Sequence, residues 1–299
     1  MSSLQTRLLV EALHEADLPK GLLNVVTGLG TVVGAELVRN PGVDKISFTG
    51  SVAVGETIMR DGAATMKRVT LELGGKSPTI LLDDAVLDQA IPSALVMAFL
   101  NSGQACAAGT RLLVPKSRLD AVKGAIREAM SGFAVGDPAD PKTAVGPMVS
   151  QKQYERIQSY IRKGIEEGAE VLVGGEGHPE GFENGYFVKP TVFVNVKNDM
   201  TIAREEIFGP VLCVIPYDSE EEAVRIANDS KYGLHAAVLG TDVERARRVA
   251  SQIRAGRVVI NNMTDDPQAP WGGFKYSGVG REYGQYGIGA FLEPKAILE

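Results

Sequence analysis

Short apolar stretches alternate with amphipathic helical stretches along most of the 299-residue chain, and glycines close several of the junctions. Residues 45–49 read as a strand that stops at Gly50, and Ser51 is a suitable N-cap for a helix over 52–60. Another strand, 68–73, stops at Gly74-Gly75. Strand–helix–strand repetition at this spacing predicts parallel sheets covered by helices. The fold class expected is therefore α/β, with Rossmann-like parallel sheets.

The same alternation predicts the remaining elements, and a two-glycine joint near Gly74-Gly75 separates two βα blocks. Further strands are expected at 24–26, 78–82, 111–114, 191–196, 211–215, 236–239 and 257–261, with a terminal β-like segment at 290–298. Helices are expected at 6–16, 32–39, 86–101, 117–130, 151–167, 219–228 and 242–254. Loops rich in glycine are expected at 133–149 and 270–289.

Composition excludes several classes of protein. The net charge is −6 and the basic residues form no stripe, so nucleic acid is not expected as a partner. No apolar run approaches the roughly 20 residues that span a bilayer, and no secretion signal is evident, so we expect a cytoplasmic protein without a membrane segment. The 2 cysteines and 3 scattered histidines predict neither a disulfide framework nor a metal site.

Cys106 is the sharpest chemical feature of the sequence. Small residues surround it in Asn101-Ser-Gly-Gln-Ala-Cys106-Ala-Ala-Gly-Thr-Arg111, so a substrate carbonyl could approach the sulfur closely. A thiol attacks only as the thiolate, so its surroundings must favour ionisation or a base must take the proton. The alternative is a buried, inert cysteine, which is the interpretation that fits Cys213 in the apolar strand Val211-Leu-Cys-Val-Ile215.

Glu72 interrupts an apolar strand directly before Leu73-Gly74-Gly75-Lys76. Burial raises the pKa of a carboxyl group and suits it to general-base work near neutral pH. The alternative is a strand-end glutamate in an ion pair with one of the basic residues nearby, Lys67, Arg68 or Lys76.

Two segments are candidates for binding a dinucleotide. In Arg204-Glu-Glu206-Ile-Phe208-Gly-Pro210, a rigid turn would fix a carboxylate that can accept both hydroxyls of a ribose; a solvated helix end is the alternative. In Phe48-Thr-Gly50-Ser51, a glycine turn would place backbone N–H groups at a helix N-terminus, which suits a diphosphate. Gly28-x-Gly30 shows the same pattern more weakly, and neither segment is the usual GxGxxG fingerprint.

Together these segments resemble the aldehyde dehydrogenase superfamily. FTGS, LELGGKSP, GQACAAGTR, EEIFGPV and PWGGFKYSGVGRE occur in the family's order over essentially the whole chain, and Glu72 and Cys106 are 34 positions apart, as in the family. The resemblance implies the family's α/β fold and oxidation of a small-molecule aldehyde to a carboxylic acid with NAD or NADP. It also implies the type that does not acylate coenzyme A, because acylating relatives generally lack the base at the position of Glu72.

The resemblance implies a role for each motif residue. Cys106 would attack the aldehyde carbon to give a thiohemiacetal, hydride transfer would leave a thioester, and Glu72 would activate the water that hydrolyses it. The Cys106 backbone N–H would supply one oxyanion donor. Glu206 would hold the nicotinamide ribose, with Phe208 beside the ring. The other implied cofactor-binding positions are Gly50 and Ser51 on the nicotinamide and diphosphate side, Leu73, and Gly30 near the adenosine half.

The resemblance also divides the chain. Residues 1–73 would be the C-terminal half of the NAD(P)-binding domain, residues 74–273 the catalytic domain, and residues 274–299 a C-terminal return and oligomerisation segment. A homodimer or homotetramer is implied.

The sequence departs from the family at its start. About 190 N-terminal residues are expected to be absent, among them a Pro-Trp-Asn segment with the second oxyanion donor and a lysine that contacts the adenosine ribose. Two alternatives therefore stay open: a truncated, non-catalytic module for binding or oligomerisation, and a cysteine hydrolase that cleaves esters without a nucleotide. The sequence does not identify the aldehyde or choose between NAD and NADP.

Overall fold

A computed structural model of the chain describes residues 3–262 and 266–299. The chain forms two compact units, one of Met1–Ile46 and Glu56–Arg68 and the other of Ser47–Gly55 and Val69–Glu299. The predicted domain boundaries after residues 73 and 273 stay predictions.

The first unit is mostly helical. Its elements are α1 (Ser3–Glu15), a π-helical turn (Gly30–Gly34), α2 (Ala35–Arg39) and most of α3 (Val52–Gly62). Arg39 forms an ion pair with Asp61 at 2.7 Å. The strand predicted at 24–26 is wrong: these residues are irregular, and Val25 and Val26 are exposed. A strand needs a neighbour to complete its backbone hydrogen bonds, and no described segment pairs with these residues.

The strands and helices of the second unit alternate as the sequence predicts. The described strands, including two that begin in the first unit, are β1 (Lys45–Thr49), β2 (Arg68–Glu72), β3 (Pro78–Leu81), β4 (Arg111–Pro115), β5 (Glu170–Val173), β6 (Thr191–Val194), β7 (Val211–Tyr217), β8 (His235–Leu239), β9 (Arg257–Ile260) and β10 (Gly278–Val279). The helices are α4 (Leu87–Phe99), α5 (Leu119–Ala129), α6 (Gln151–Glu166), α7 (Thr201–Arg204), α8 (Glu220–Asn228), α9 (Val243–Ser251) and α10 (Gly284–Gly289).

These strands form two sheets. The larger sheet has the order β5-β6-β7-β4-β3-β8-β9 and is parallel except for the antiparallel edge strand β5. The smaller sheet has the order β1-β2-β10, with β10 antiparallel to β2. The predicted α/β fold with parallel sheets is confirmed, although the sequence did not predict β5, β10, α7 or α10.

Side chains of the larger sheet alternate between two cores, as the two-residue period of a strand requires. In β3, Ile80 enters a core that α6, α7, α8 and α9 cover, whereas Leu81 enters a core that α4 and α5 cover. Because both faces are covered, the strands are apolar at consecutive positions rather than at every second one. This burial fixes the N-terminal ends of β3 and β4, which follow the Gly74-Gly75 and Cys106 segments.

Two C-terminal expectations change in detail. The helix predicted to reach residue 254 ends at Ser251. Residues 290–298 form no strand among the described residues, and Ile297 and Leu298 are exposed there by 84% and 92%. No helix among residues 3–262 and 266–299 is both long and apolar enough to cross a membrane.

Candidate active site

Glu72 is the last residue of β2, and neighbouring backbone fixes its position. It lies opposite Gly278 in the β2–β10 pairing, and its carbonyl accepts a hydrogen bond from the N–H of Gly50 at 3.0 Å. The side chain is 3% exposed. Neither carboxylate oxygen has a well-formed hydrogen bond with a described residue, and the Trp271 indole makes only a weak donor contact. The alternative interpretation of Glu72 as a salt-bridged strand end is therefore not supported.

The surroundings of Glu72 change its acidity. Burial raises the pKa of the Glu72 carboxyl group to about 7, and the charge of Glu282 raises it further, whereas the Trp271 indole and the charge of Arg281 oppose the rise. A Cβ at Gly272 would lie 3.0 Å from Glu72 Oε1, so the backbone of this loop lies directly against the carboxylate. A buried carboxylate that lacks a well-formed hydrogen bond and titrates near neutral pH has the properties of a general base.

Cys106 follows a tightly wound segment before β4. Asn101, Ser102 and Gly103 have consecutive positive φ angles of 49°, 58° and 71°. Ser102 Oγ accepts a hydrogen bond from the N–H of Gly146 at 2.9 Å, which ties the segment to the predicted loop 133–149. Such conformations persist only when surrounding contacts hold them, so the nucleophile segment is fixed rather than free.

The Cys106 thiol is half-buried, whereas Cys213 is fully buried. Burial raises the pKa of the Cys106 thiol, and the charges of Glu206 and Glu72 raise it further, against the opposing backbone N–H groups of Ala107 and Cys106. Both carboxylates therefore lie close enough to act on the sulfur. Cys213 donates its S–H to the Ile202 carbonyl at 3.3 Å inside the core, as the inert interpretation predicts.

Gly74 and Gly75 bring the cysteine and the second acid together. A Cβ at Gly75 would lie 2.3 Å from the Cys106 carbonyl oxygen, and a Cβ at Gly74 would lie 2.2 Å from Glu206 Oε2. The Gly75 N–H donates to Glu206 Oε1 at 3.1 Å. Only glycine allows both approaches, so the Gly-Gly pair seats Cys106 on one side and Glu206 on the other.

Two side chains of α6 donate hydrogen bonds to the turn that carries Glu206. Arg156 donates to the Glu206 carbonyl at 2.8 Å, and Gln153 Nε2 donates to the Phe208 carbonyl at 2.7 Å. Phe208 has a positive φ of 61° and remains 37% exposed. Burial raises the pKa of Glu206, and the Gly75 N–H and nearby cations oppose the rise. The turn therefore presents a fixed acid beside an accessible aromatic ring.

The remaining predicted cofactor positions fall in different places. Ser51 Oγ accepts from the Val54 N–H at 3.4 Å, so it caps α3 as predicted. The N–H of Gly50 donates to the Glu72 carbonyl, so Gly50 shapes the turn before α3. Leu73 is buried, and its side chain would contact a Cβ at Gly55 at 2.8 Å. Gly30 begins the π-helical turn of the first unit and is exposed.

Sequence reasoning missed the residues that surround Glu72 from the C-terminal loop. Trp271 and Glu282 pair through two backbone hydrogen bonds of 2.9 and 2.7 Å, and both affect the acidity of Glu72. It considered Lys76 only as an ion-pair partner of Glu72 and did not predict its burial, although Lys76 is only 1% exposed. The available signals were an aromatic residue before two glycines and a charged residue two positions before a buried strand.

No group of three or more histidine, cysteine, aspartate or glutamate side chains that could hold a metal ion occurs within the described ranges.

Comparison with known proteins identifies similar chains. A family model described as the aldehyde dehydrogenase family matches residues 1–297. A Staphylococcus haemolyticus protein whose name places it among the aldehyde dehydrogenases is 50% identical over 290 residues, which are 97% of this chain and 61% of that protein. The chain thus spans about 61% of the length of the curated relatives it matches.

Two solved structures are similar in fold and sequence. A mutant of aldehyde dehydrogenase C from Pseudomonas syringae, in complex with NAD+ and octanal, has a TM-score of 0.96 and 48% identity, covering 98% of this chain and 60% of that one. A Mycobacterium tuberculosis aldehyde dehydrogenase in complex with NAD+ has a TM-score of 0.93 and 48% identity, covering 96% and 59%.

Proposed function

Because the chain belongs to the aldehyde dehydrogenase family, we propose that it oxidises an aldehyde to a carboxylic acid with NAD+ or NADP+, using Cys106 as the nucleophile and Glu72 as the general base. The observation that carries the proposal is the pairing of a half-buried thiol with a buried carboxylate whose pKa is raised to about 7. The expected enzyme is of the type that does not acylate coenzyme A.

The first step needs a base, because the raised pKa leaves the Cys106 thiol protonated at neutral pH. Glu72 accepts no well-formed hydrogen bond from a described residue, so in its ionised form it can take the thiol proton, directly or through a water molecule. The sulfur then forms a bond to the aldehyde carbon while the carbonyl π electrons move to oxygen. The Cys106 backbone N–H donates to that oxygen.

The second half of the cycle uses the same two residues. When bound, the nicotinamide dinucleotide supplies the hydride acceptor that converts the thiohemiacetal into a thioester. Glu72 first releases to solvent the proton that it took from the thiol, and it then removes a proton from a water molecule, whose oxygen attacks the thioester carbon. The C–S bond breaks, the carboxylic acid leaves, and the Cys106 thiolate regains a proton. Because its pKa is about 7, Glu72 can accept and release the thiol and water protons near neutral pH with little free-energy cost.

The residues around Gly74 fit the nicotinamide half of the cofactor. An ionised carboxylate has about four acceptor sites, and the Gly75 N–H occupies one of those of Glu206. Glu206 would accept the ribose hydroxyls, and Phe208 would pack beside the ring. Leu73, Gly50 and Ser51 would shape the adjoining wall and the helix end. Gly30 stays a proposed residue for the adenosine half, as the family resemblance implies.

Further features of the family remain part of the proposal. The aldehyde complex of the Pseudomonas relative contains octanal, which supports a small-molecule aldehyde as substrate and offers a first compound to test. A homodimer or homotetramer in the cytoplasm is the expected assembly.

NADH formation tests the proposal. Purified protein incubated with NAD+ and octanal should produce NADH, and Cys106→Ala should abolish the signal. Glu72→Gln should lower the rate by roughly 10²–10⁴-fold, as expected for a lost general base. Cys213→Ser is the matched control, because it alters a thiol that lies in the core, and it should retain most of the rate. Equal loss in Cys106→Ala and Cys213→Ser would contradict the assignment of the nucleophile.

A further inference from the structure

Gln104 lies two residues before Cys106, and its side chain reaches the backbone of a neighbouring loop. Its Oε1 accepts a hydrogen bond from the Val149 N–H at 2.9 Å, and its Nε2 donates to the Pro147 carbonyl at 3.4 Å. An amide side chain carries one acceptor oxygen and two donor hydrogens, so both of its polar ends are used here. Gln104 therefore connects the nucleophile segment to one short stretch of the loop.

The stretch that Gln104 contacts is itself anchored. Met148 is 2% exposed, and its N–H donates to the Tyr186 carbonyl at 2.8 Å. The next residue but one, Ser150, caps α6, because its hydroxyl accepts a hydrogen bond from the Gln153 N–H at 3.3 Å. The amide contacts of Gln104 thus attach the nucleophile segment to a fixed point at the start of α6.

The backbone around the sulfur has few hydrogen bonds of its own. The N–H groups of Ala105, Cys106 and Ala107 donate to no backbone carbonyl among the described residues. This leaves the Cys106 N–H available as an oxyanion donor, but the turn then depends on contacts at its ends. Gln104 directly precedes the turn. Its N–H donates to the Asn101 carbonyl at 3.0 Å, and its carbonyl accepts from Asn101 Nδ2 at 3.1 Å.

The first turns of α6 also hold the turn that carries Glu206. Gln153 Nε2 donates to the Phe208 carbonyl at 2.7 Å, and Arg156 donates to the Glu206 carbonyl at 2.8 Å. The contacts of Gln104 and those of the Glu206 turn therefore end on one connected stretch of chain. Through that stretch, the side chain of Gln104 links the position of the proposed nucleophile to that of the proposed ribose acceptor.

We propose that Gln104 is a positioning residue for Cys106, whose amide fixes the Cys106 sulfur and backbone N–H relative to the start of α6. The inference rests on the proposed function, because it takes Cys106 as the nucleophile. Misplacing a reacting atom by about 1 Å can cost on the order of 10²-fold in rate. Loss of the amide should therefore slow the steps that use the sulfur and leave cofactor binding largely intact.

The test uses the whole chain and a reaction of Cys106 that needs no cofactor. With 4-nitrophenyl acetate, the sulfur loses its proton to a base and forms a bond to the acetyl carbon, and 4-nitrophenolate leaves and is measured by its absorbance. Gln104→Met keeps the length of the side chain and removes both polar ends. It should lower the acylation rate by roughly tenfold or more, with Cys106→Ala as the background.

Gln158→Met is the matched control. Gln158 lies on α6 and also accepts a hydrogen bond from a loop N–H, that of Gly177 at 2.8 Å, but this loop carries no proposed site residue. The variant should leave the acylation rate nearly unchanged, whatever its effect on the melting temperature. An acylation rate that falls equally in the two variants, or that does not fall in Gln104→Met, would overturn the proposal.

Gln104→Asn covers the case in which Gln104→Met does not fold. It keeps the amide group but is one methylene shorter, so it cannot reach Val149 and Pro147 together from the same backbone position. A purely polar role at this position would be preserved in Gln104→Asn, whereas a positioning role would not. The acylation rate should therefore still fall, and a rate equal to that of the unmodified chain would contradict the proposal.

NADH formation separates this inference from the proposed function. If the unmodified chain oxidises octanal, Gln104→Met should lower kcat and leave the KM for NAD+ nearly unchanged, because the residues proposed to bind the cofactor are intact. Slower acylation in Gln104→Met without NADH formation by any variant would support the positioning role and contradict the dehydrogenase function. NADH formation with an unchanged kcat in Gln104→Met would support the dehydrogenase function and contradict the positioning role.

Discussion

The backbone N–H of Gly75 donates to Glu206 Oε1 at 3.1 Å, while the missing side chain of Gly74 leaves the space that Glu206 Oε2 occupies. Two adjacent glycines thus hold one carboxylate in place. On the opposite side, the space left by the missing side chain of Gly75 admits the Cys106 carbonyl. The proposed cofactor acid and the proposed nucleophile are therefore positioned by the same two-residue joint.

Gly74→Ala should weaken NADH binding more than it weakens the fold. The added methyl group would lie 2.2 Å from Glu206 Oε2, so the carboxylate must move away from its backbone donor. Losing that hydrogen bond costs on the order of 1–3 kcal/mol, which corresponds to roughly 5- to 150-fold in affinity. Fluorescence titration with NADH measures the effect.

Gly124→Ala is the control for that experiment. A Cβ at Gly124, inside α5, would meet nothing within 4 Å. It should leave NADH affinity unchanged and stabilise the helix by roughly 0.5–1 kcal/mol. Similar affinity losses in the two variants would show that the Glu206 contact is not the cause.

Glu72 should make the protein less stable as pH rises through the window from 4.5 to about 7. Its folded-state pKa lies above its ordinary value, so the native state binds more protons than the unfolded state in this window. The contribution of Glu72 to the free energy of unfolding is complete below pH 4.5 and is lost as the pH rises to about 7. In Glu72→Gln the part of the slope that comes from this group should be lost. Urea unfolding at several pH values measures it, and parallel slopes in both proteins would contradict a buried, ionisable Glu72.

Cys106 should be the thiol that reacts in the native protein. Iodoacetamide should add one label, found by mass spectrometry on the peptide that contains Cys106, because Cys213 is fully buried. The labelling rate should continue to rise with pH above the ordinary pKa of a thiol, since the pKa of Cys106 is raised. Cys213 should react only after unfolding. A rate that levels off near neutral pH would show instead that the site favours the thiolate.

Gly103→Ala should destabilise the fold by about 2 kcal/mol or more. Its φ is +71°, and a Cβ would lie 2.2 Å from the Gly209 carbonyl oxygen, which is backbone and cannot turn aside. Gly168→Ala separates backbone strain from steric contact, because its φ is +90° but its Cβ would meet nothing within 4 Å. We expect Gly168→Ala to cost about 1 kcal/mol. Equal melting temperatures of the two variants would show that contact with Gly209 contributes nothing.

Local sequence predicted most regular elements correctly because their signals are local. Alternating apolar segments with glycine stops located β1, β3, β4 and β7 within a few residues, and Ser51 caps α3 as its side chain predicts. The strand predicted at 24–26 is absent, because a strand forms only where it can pair with a neighbouring strand that is distant in the sequence. The sequence did not predict β10, because Gly278 and Val279 form a strand only through pairing with β2.

The site residues divide in the same way. The chemistry of Cys106 and Glu72 follows from residue type and from motifs, so the sequence was sufficient to nominate them. The burial of Lys76, and the approach of Trp271 and Glu282 to Glu72, could not be read locally. They depend on chain segments up to 210 positions apart, the separation of Glu72 and Glu282.

By itself, then, the sequence determined the alternation of strands and helices, the glycines at the turns and the identities of the thiol and the two acids. Tertiary structure alone decided that Glu72 is buried without a well-formed hydrogen bond to a described residue, that Glu206 rests on Gly75, and that Lys76 lies in the core. The physical reason is that acidity and reactivity depend on dehydration and on nearby charge, and both are set by packing between segments remote in the chain.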